Sequence, residues 1–262
     1  MSSRAAIAEI EAAARSALRC LDLTCLNDGD TEADIERLCQ RAQTAFGPVA
    51  AVCVWPRFAA LARSMLPAAI RVAAVGNFPA GGSDADAVLA EVRGIVAAGA
   101  QEVDLVLPWR ALQAGETAAV SRLLHRAREA CAGLTLKLIL ESGELRDAAV
   151  IEAAARLALD AGADFLKTST GKTPVGATLA AAETMLHVIA TQPRESRQVG
   201  LKISGGLRAV AELLPYLELV RRTLGPGALQ PQRFRIGASS LLDAIEAVLG
   251  GAPIPPPPTS GY

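Results

Sequence analysis

Ala163-Asp164-Phe165-Leu166-Lys167-Thr168-Ser169-Thr170-Gly171-Lys172 is a short apolar run that ends on a lysine and breaks into a turn rich in hydroxyls and glycine. Such a run fits a buried parallel strand that delivers one charged side chain to the edge of a sheet. A second stretch repeats the design: Val199-Gly200-Leu201-Lys202, followed by Ser204-Gly205-Gly206. Two ammonium groups brought together disfavour each other's charge, so one pKa falls toward neutrality. An uncharged lysine is what imine-forming nucleophiles require. Glycine turns beside both strands offer backbone N–H groups to an anion.

Working outward, similar runs recur along the chain. They cover Leu18–Leu23, Val49–Val54, Ile70–Val75, Glu102–Leu107, Leu134–Leu140, Asp164–Lys167, Val199–Lys202 and Arg233–Ile236. Each is followed by a segment of helical periodicity. Val88, Val92, Ile95 and Val96 form one apolar stripe between Asp84 and Ala98, which Gly99 stops. Ile35, Leu38, Cys39, Ala42 and Phe46 form another behind a cap at Asp30 or Thr31. Eight strand–helix repeats predict a TIM (β/α)8 barrel with an extra N-terminal helix. An open doubly wound sheet is the competitor. It calls for a glycine fingerprint after the first strand, but Leu21-Asp22-Leu23-Thr24-Cys25-Leu26-Asn27-Asp28 has none. No linker-like composition divides the barrel, so residues 1–252 are expected to form a single domain. The proline-rich tail 253–262, ending in Tyr262, is expected to be extended or unstructured.

Bulk properties narrow the chemistry. The 262 residues are 51% hydrophobic and 20% charged, with a formal net charge of -1. That balance gives no reason to expect nucleic acid or an acidic membrane as partner. Cys20, Cys25, Cys39, Cys53 and Cys131 form no CxxC pair, and His125 and His187 are the only histidines, so no metal site is expected. The charged first helix and the unpaired cysteine count predict a reducing, cytoplasmic setting.

Several charged residues stand where a barrel interior would not accept them idly. Asp104 lies in the apolar run Glu102-Val103-Asp104-Leu105-Val106, and alternation puts Glu102 on the same face. Asp22 closes the first run, as a proton shuttle, a lysine anchor or a cap. Lys137 lies mid-strand and reads as a functional charge, with a structural pair to Glu141 as the alternative. Cys53 reads as an inert buried thiol. Three turns, Gly171-Lys172, Gly205-Gly206 and Gly237-Ala238-Ser239-Ser240, follow neighbouring strands, and the last two open helices; together they predict a phosphate site.

In this order the motifs resemble the deoxyribose-phosphate aldolase family of class I aldolases. The likeness runs from about residue 15 to 250. It rests on Leu21-Asp22-Leu23-Thr24, Cys53 with Pro56-Arg57-Phe58, Asn77-Phe78-Pro79 and Glu102-Val103-Asp104. It continues through Glu141-Ser142-Gly143-Glu144-Leu145, Gly162 to Lys172, Lys202 with Gly205-Gly206, and Gly237 to Leu242. The resemblance implies a cofactor-free, metal-free aldolase that reversibly cleaves 2-deoxy-D-ribose 5-phosphate to D-glyceraldehyde 3-phosphate and acetaldehyde. By position, Lys167 would form the Schiff base, Lys202 would lower its pKa, and Asp104 would relay protons. Asp22, Lys137, Thr24, Leu26, Thr170 and Cys53 would support the substrate. Gly171, Lys172, Gly205, Gly206, Arg208, Gly237, Ser239 and Ser240 would hold the phosphate. Tyr262 matches a terminal tyrosine that assists proton transfer, and a homodimer is implied. This chain departs from the family at Ile203-Ser204, where Pro or Ala often follows the second lysine, which bears on phosphate binding. Another Schiff-base lyase of the barrel class, or a non-catalytic sugar-phosphate binder, remains the alternative.

Overall fold

The structure is a computed structural model that describes residues 3–192 and 198–252. In chain order its strands are β1 (Leu21–Cys25), β2 (Gln43–Thr44), β3 (Gly47–Pro48), β4 (Ala51–Val54), β5 (Arg71–Gly76), β6 (Glu102–Val106), β7 (Thr135–Ile139), β8 (Phe165–Lys167), β9 (Gly200–Ser204) and β10 (Phe234–Ala238). All except β2 and β3, which pair as a small antiparallel ribbon, close into one parallel barrel in the order β1-β10-β9-β8-β7-β6-β5-β4. The expected TIM barrel is therefore what the chain forms, and the open sheet is excluded.

The helices are α1 (Ser3–Cys20), α2 (Glu32–Arg41), α3 (Ala59–Met65), α4 (Ala85–Ala97), α5 (Trp109–Gln113), α6 (Thr117–Ala130), α7 (Ser142–Leu145), α8 (Ala148–Asp160), α9 (Leu179–Ala190), α10 (Val210–Leu224) and α11 (Leu241–Leu249). Their apolar faces meet the outward faces of the strands in one continuous core. Among the described residues no helix is long and apolar enough to cross a membrane. The proline-rich tail and Tyr262 lie outside the described residues.

Several boundaries differ from the expectation, and β9 runs on to Ser204, which puts Lys202 mid-strand. Leu18 to Cys20 belong to α1, not to the first strand, because Ala14, Ala17 and Leu18 share a helical stripe that buries them. Helix α2 ends at Arg41, and Phe46 sits half-exposed beside the β2–β3 ribbon. Of the two candidate caps, Asp30 and Thr31, it is Thr31 that caps α2, forming a capping box with Asp34. Gly205-Gly206 lie ahead of α10, which begins only at Val210, so they form a free-standing turn and not its first residues.

Inside the barrel the packing is unusual. One side is apolar, with Leu26, Cys53, Ala73 and Val75 forming a small cluster of their own. The other side carries charge, and small residues make room for it. A methyl group on Gly237 would stand 3.0 Å from Cε of Lys202. At Gly200 it would stand 2.3 Å from the Phe165 ring, which lies over the Arg235 guanidinium at 5.6 Å. Gly200→Ala is accordingly expected to cost about 1–3 kcal/mol by overpacking, read by chemical denaturation. Gly227→Ala, where the space is open, should leave stability nearly unchanged.

Candidate active site

Parallel register brings charged side chains from six strands together inside the barrel. Lys167 is the Cα partner of Lys202, Lys202 of Arg235, and Asp104 of Lys137. Lys167 Nζ donates to Asp104 Oδ2 at 2.8 Å, and Lys202 Nζ donates to the same oxygen at 2.7 Å. The two ammonium positions therefore share one carboxylate oxygen. Lys137 occupies the other oxygen at 2.8 Å. It also meets Glu102 at 2.5 Å and Asp22 at 3.2 Å. Lys202 reaches Asp22 at 2.5 Å. Beneath them Arg235 bonds Asp22 at 2.6 Å and Glu102 at 2.8 Å. Every member of this network is buried.

Charge counting decides how these groups ionise. Three carboxylates (Asp22, Glu102 and Asp104) face four cationic side chains (Lys137, Lys167, Lys202 and Arg235), all of them buried. Full ionisation would leave one uncompensated charge, and burial penalises that heavily. Lys167 is the cation whose charge is most disfavoured, with a pKa below the ordinary lysine value. Burial pushes its pKa down first, Asp104 pulls it back up, and Lys202 pushes it down again. Burial also opposes charge on Lys202 and Lys137, but Asp104 and Asp22 outweigh it and hold both above the ordinary lysine value. Burial alone would raise Asp104, yet Lys137, Lys167 and Lys202 hold its carboxyl well below the usual range. The sequence reading gave the crowding cation as the cause at Lys167. In the structure burial is the larger cause, and Lys202 acts partly by occupying the carboxylate that would otherwise stabilise Lys167.

A pocket of about 300 Å³ opens above Lys167 at the C-terminal ends of the strands. Thr24, Leu26, Asn27, Thr170, Gly171, Lys172, Ser204, Gly205, Gly206, Leu207, Arg208, Gly237, Ala238, Ser239 and Ser240 line it. Thus the residues of all three glycine turns come together at one mouth. Asp104, Lys202, Asp22, Lys137 and Cys53 form the buried layer below and do not line it. Cys53 Sγ lies 3.9 Å from Asp104 Oδ2, and burial raises its pKa.

The turns owe their shape to close backbone contact. Gly171 and Gly205 have φ of 77° and 90°, a region costly for other residues. A methyl group on Gly205 would stand 2.9 Å from Gly176 Cα and 3.3 Å from Gly171 Cα, so three glycines pack as bare backbone. Ser169 and Ser204 clasp the two loops by donating each to the other's carbonyl at 2.5 Å. Not every expected N–H is free. Lys172 N–H donates to Thr170 Oγ1 at 3.0 Å, and Arg208 N–H donates to Glu212 at 2.7 Å. The Lys172 and Arg208 side chains are exposed at the rim. Helix α11 begins just past Ser239-Ser240, so its positive end faces the mouth. Ile203 points the other way, into the core beneath the helices.

Glu141 is a correction. It does not pair with Lys137, because β7 ends at Ile139 and Glu141 adopts a left-handed conformation (φ 55°, ψ 54°) that swings its carboxylate away. There it accepts from Thr170 Oγ1 at 2.5 Å, from Thr170 N–H at 3.2 Å and from Thr173 Oγ1 at 3.3 Å. Arg235 is not among the expected site residues, although a lone cation between Phe234 and Ile236 is the same signal that Lys137 gives. Among the described residues no cluster of three or more His, Cys, Asp or Glu side chains is arranged to hold a metal ion.

Residues 16–246 match the model of the DeoC/LacD family of aldolases. The chain belongs to that family. Solved structures similar to this aldolase include a protein from Toxoplasma gondii ME49, at 26% identity and a TM-score of 0.84, covering 94% of this chain and 97% of that one. Another, from Coccidioides immitis, has 28% identity and a TM-score of 0.77, covering 89% and 85%. Both are named "putative deoxyribose-phosphate aldolase". A tetrameric deoxyribose phosphate aldolase from Aeropyrum pernix shares the fold at 24% identity and a TM-score of 0.68, covering 94% and 98%.

Two outcomes test this geometry in the aldolase. Arg235→Met leaves Asp22 and Glu102 short of a buried partner and should cost about 3–5 kcal/mol, read from urea unfolding. Glu141→Gln replaces the acceptor that fixes Thr170 and Thr173. It should raise KM several-fold for a phosphorylated substrate while changing kcat little. An equal fall in kcat with KM unchanged would show that Glu141 does not act through the loop.

Proposed function

We propose that this aldolase cleaves 2-deoxy-D-ribose 5-phosphate reversibly to D-glyceraldehyde 3-phosphate and acetaldehyde through an imine on Lys167. The observation that carries the reading is the lysine whose charge the buried network disfavours, placed at the floor of a pocket rimmed by glycine turns and two cations. Neutral Lys167 Nζ attacks C1 of the open-chain aldehyde, and loss of water gives the iminium. The iminium then accepts the electrons of the C2–C3 bond while the C3 hydroxyl loses its proton, releasing glyceraldehyde 3-phosphate and leaving an enamine. Protonation at C2 and hydrolysis free acetaldehyde and restore the amine. Asp104, hydrogen-bonded to both lysines, is the proton-relay group, acting through water. Lys202 stays charged and keeps Lys167 from claiming the whole of Asp104.

Phosphate is assigned to the rim of Gly171, Lys172, Gly205, Gly206, Arg208, Gly237, Ser239 and Ser240. Its binding energy fixes C3 relative to the iminium. Thr24 and Leu26 border the small acetaldehyde end. Residues 1–252 are taken as one catalytic unit, and the family resemblance supports a homodimer.

Reduction with borohydride in the presence of acetaldehyde should leave one N-ethyl group on the Lys167 peptide. An unmodified peptide in protein that still turns over would exclude imine chemistry at this residue. Lys202→Met gives Lys167 a larger share of Asp104 and so raises its pKa. Each unit of rise leaves about tenfold less neutral amine below that pKa. The acidic limb of kcat/KM should therefore move to higher pH, with activity lost at neutrality and partly regained in alkali. Full activity at neutral pH would reject the coupling.

A further inference from the structure

A larger cavity, about 500 Å³, opens at the opposite end of the barrel, around the N-terminal ends of the strands. It lies between the last turns of α1, the ribbon formed by β2 and β3, the start of β5 and the entry to β10. Four arginines line it, Arg15, Arg19, Arg71 and Arg235, and no aspartate or glutamate does. Arg235 forms the inner wall, and its charge is already matched by Asp22 and Glu102. The other three are unmatched. Arg15 and Arg19 are one helical turn apart on the same face of α1, and Arg71 begins β5. All three are exposed, and none has a carboxylate within ion-pair distance among the described residues.

Three unpaired guanidinium groups around one concavity repel one another, and in a chain of net charge -1 they are not part of a general positive surface. The arrangement costs least when an anion sits between them. Guanidinium forks match phosphate oxygens in paired hydrogen bonds, and a concave site limits their competition from water. Gln230 adds a neutral polar group, and Phe46, 41% exposed, gives the rim a flat apolar face. We propose that this cavity binds a small organic phosphate with two or more negative charges and an unsaturated or aromatic portion that stacks on Phe46. The site is separate from the pocket above Lys167, because the two open on opposite ends of the barrel and share no lining residue. It stands whether or not the aldol reading holds.

ADP serves as the probe, with hydrogen–deuterium exchange of the full chain as the readout. ADP should protect segments 15–19, 46–50, 69–71 and 230–235. The double variant Arg19→Gln, Arg71→Gln should weaken that protection at least tenfold in ADP concentration. Both residues lie outside the catalytic machinery, so its cleavage rate should be that of the wild type. Any protection by ADP at 170–173 and 205–208 should persist in the variant. Protection confined to those two loops in the wild type overturns the proposal. So does protection of the lower segments that the double variant leaves unchanged. Arg15→Gln alone, a single exposed change, repeats the test should the double variant fold poorly, with a weaker loss expected and an unchanged midpoint again contradicting the site.

Discussion

The barrel interior carries more positive side chains than negative ones, and the rest of the site follows from how that excess is resolved. Asp22, Glu102 and Asp104 can neutralise three cations, yet Lys137, Lys167, Lys202 and Arg235 converge on them. In bulk water the difference would be trivial. In a buried interior each unmatched charge costs several kcal/mol, so the least stabilised amine is the one whose charge is most disfavoured. Among the described residues Lys167 has a single carboxylate contact and shares it, whereas Lys137 has three and Lys202 two. The number of acidic partners thus sets which amine's charge is least supported, and the deep pairs of Arg235 and Lys137 act on Lys167 by occupying those partners.

The pocket above this layer is shaped by backbone instead of side chains. Gly171, Gly176 and Gly205 pack against each other with no Cβ between them, which draws the loops after β8 and β9 to one rim. Glu141 then fixes the first of these loops from below through Thr170 and Thr173. A carboxylate beside the proposed phosphate rim would ordinarily repel the ligand. Here its lone pairs are spent on two hydroxyls and an amide, and it lies buried behind the loop. The rim keeps its exposed cations, Lys172 and Arg208, free to face an anion.

Strand count and barrel closure could be read from the chain because continuous apolar runs and helical stripes depend only on neighbours in sequence. Asp104 and Lys137 stood out for the same reason, as charges inside apolar runs. Arg235 gave the same signal but lacked a motif around it. Glu141 gave a misleading one: its spacing from Lys137 suits a strand, and only the left-handed turn after Ile139 sends it to Thr170. The ends of α1 and α2 were misplaced because Leu18 and Phe46 are apolar in either reading, and packing chose between them.

Sequence by itself determined the fold class, the two lysines on neighbouring strands and the glycine turns behind them, since each is a local pattern of residue types. Only the tertiary structure decided which carboxylate each amine meets and which N–H groups remain free. Those choices bring together residues as distant as Asp22 and Arg235, joined by the pairing of the first strand with the last. A charge balance is a property of the enclosed volume, and no single segment of the chain contains it.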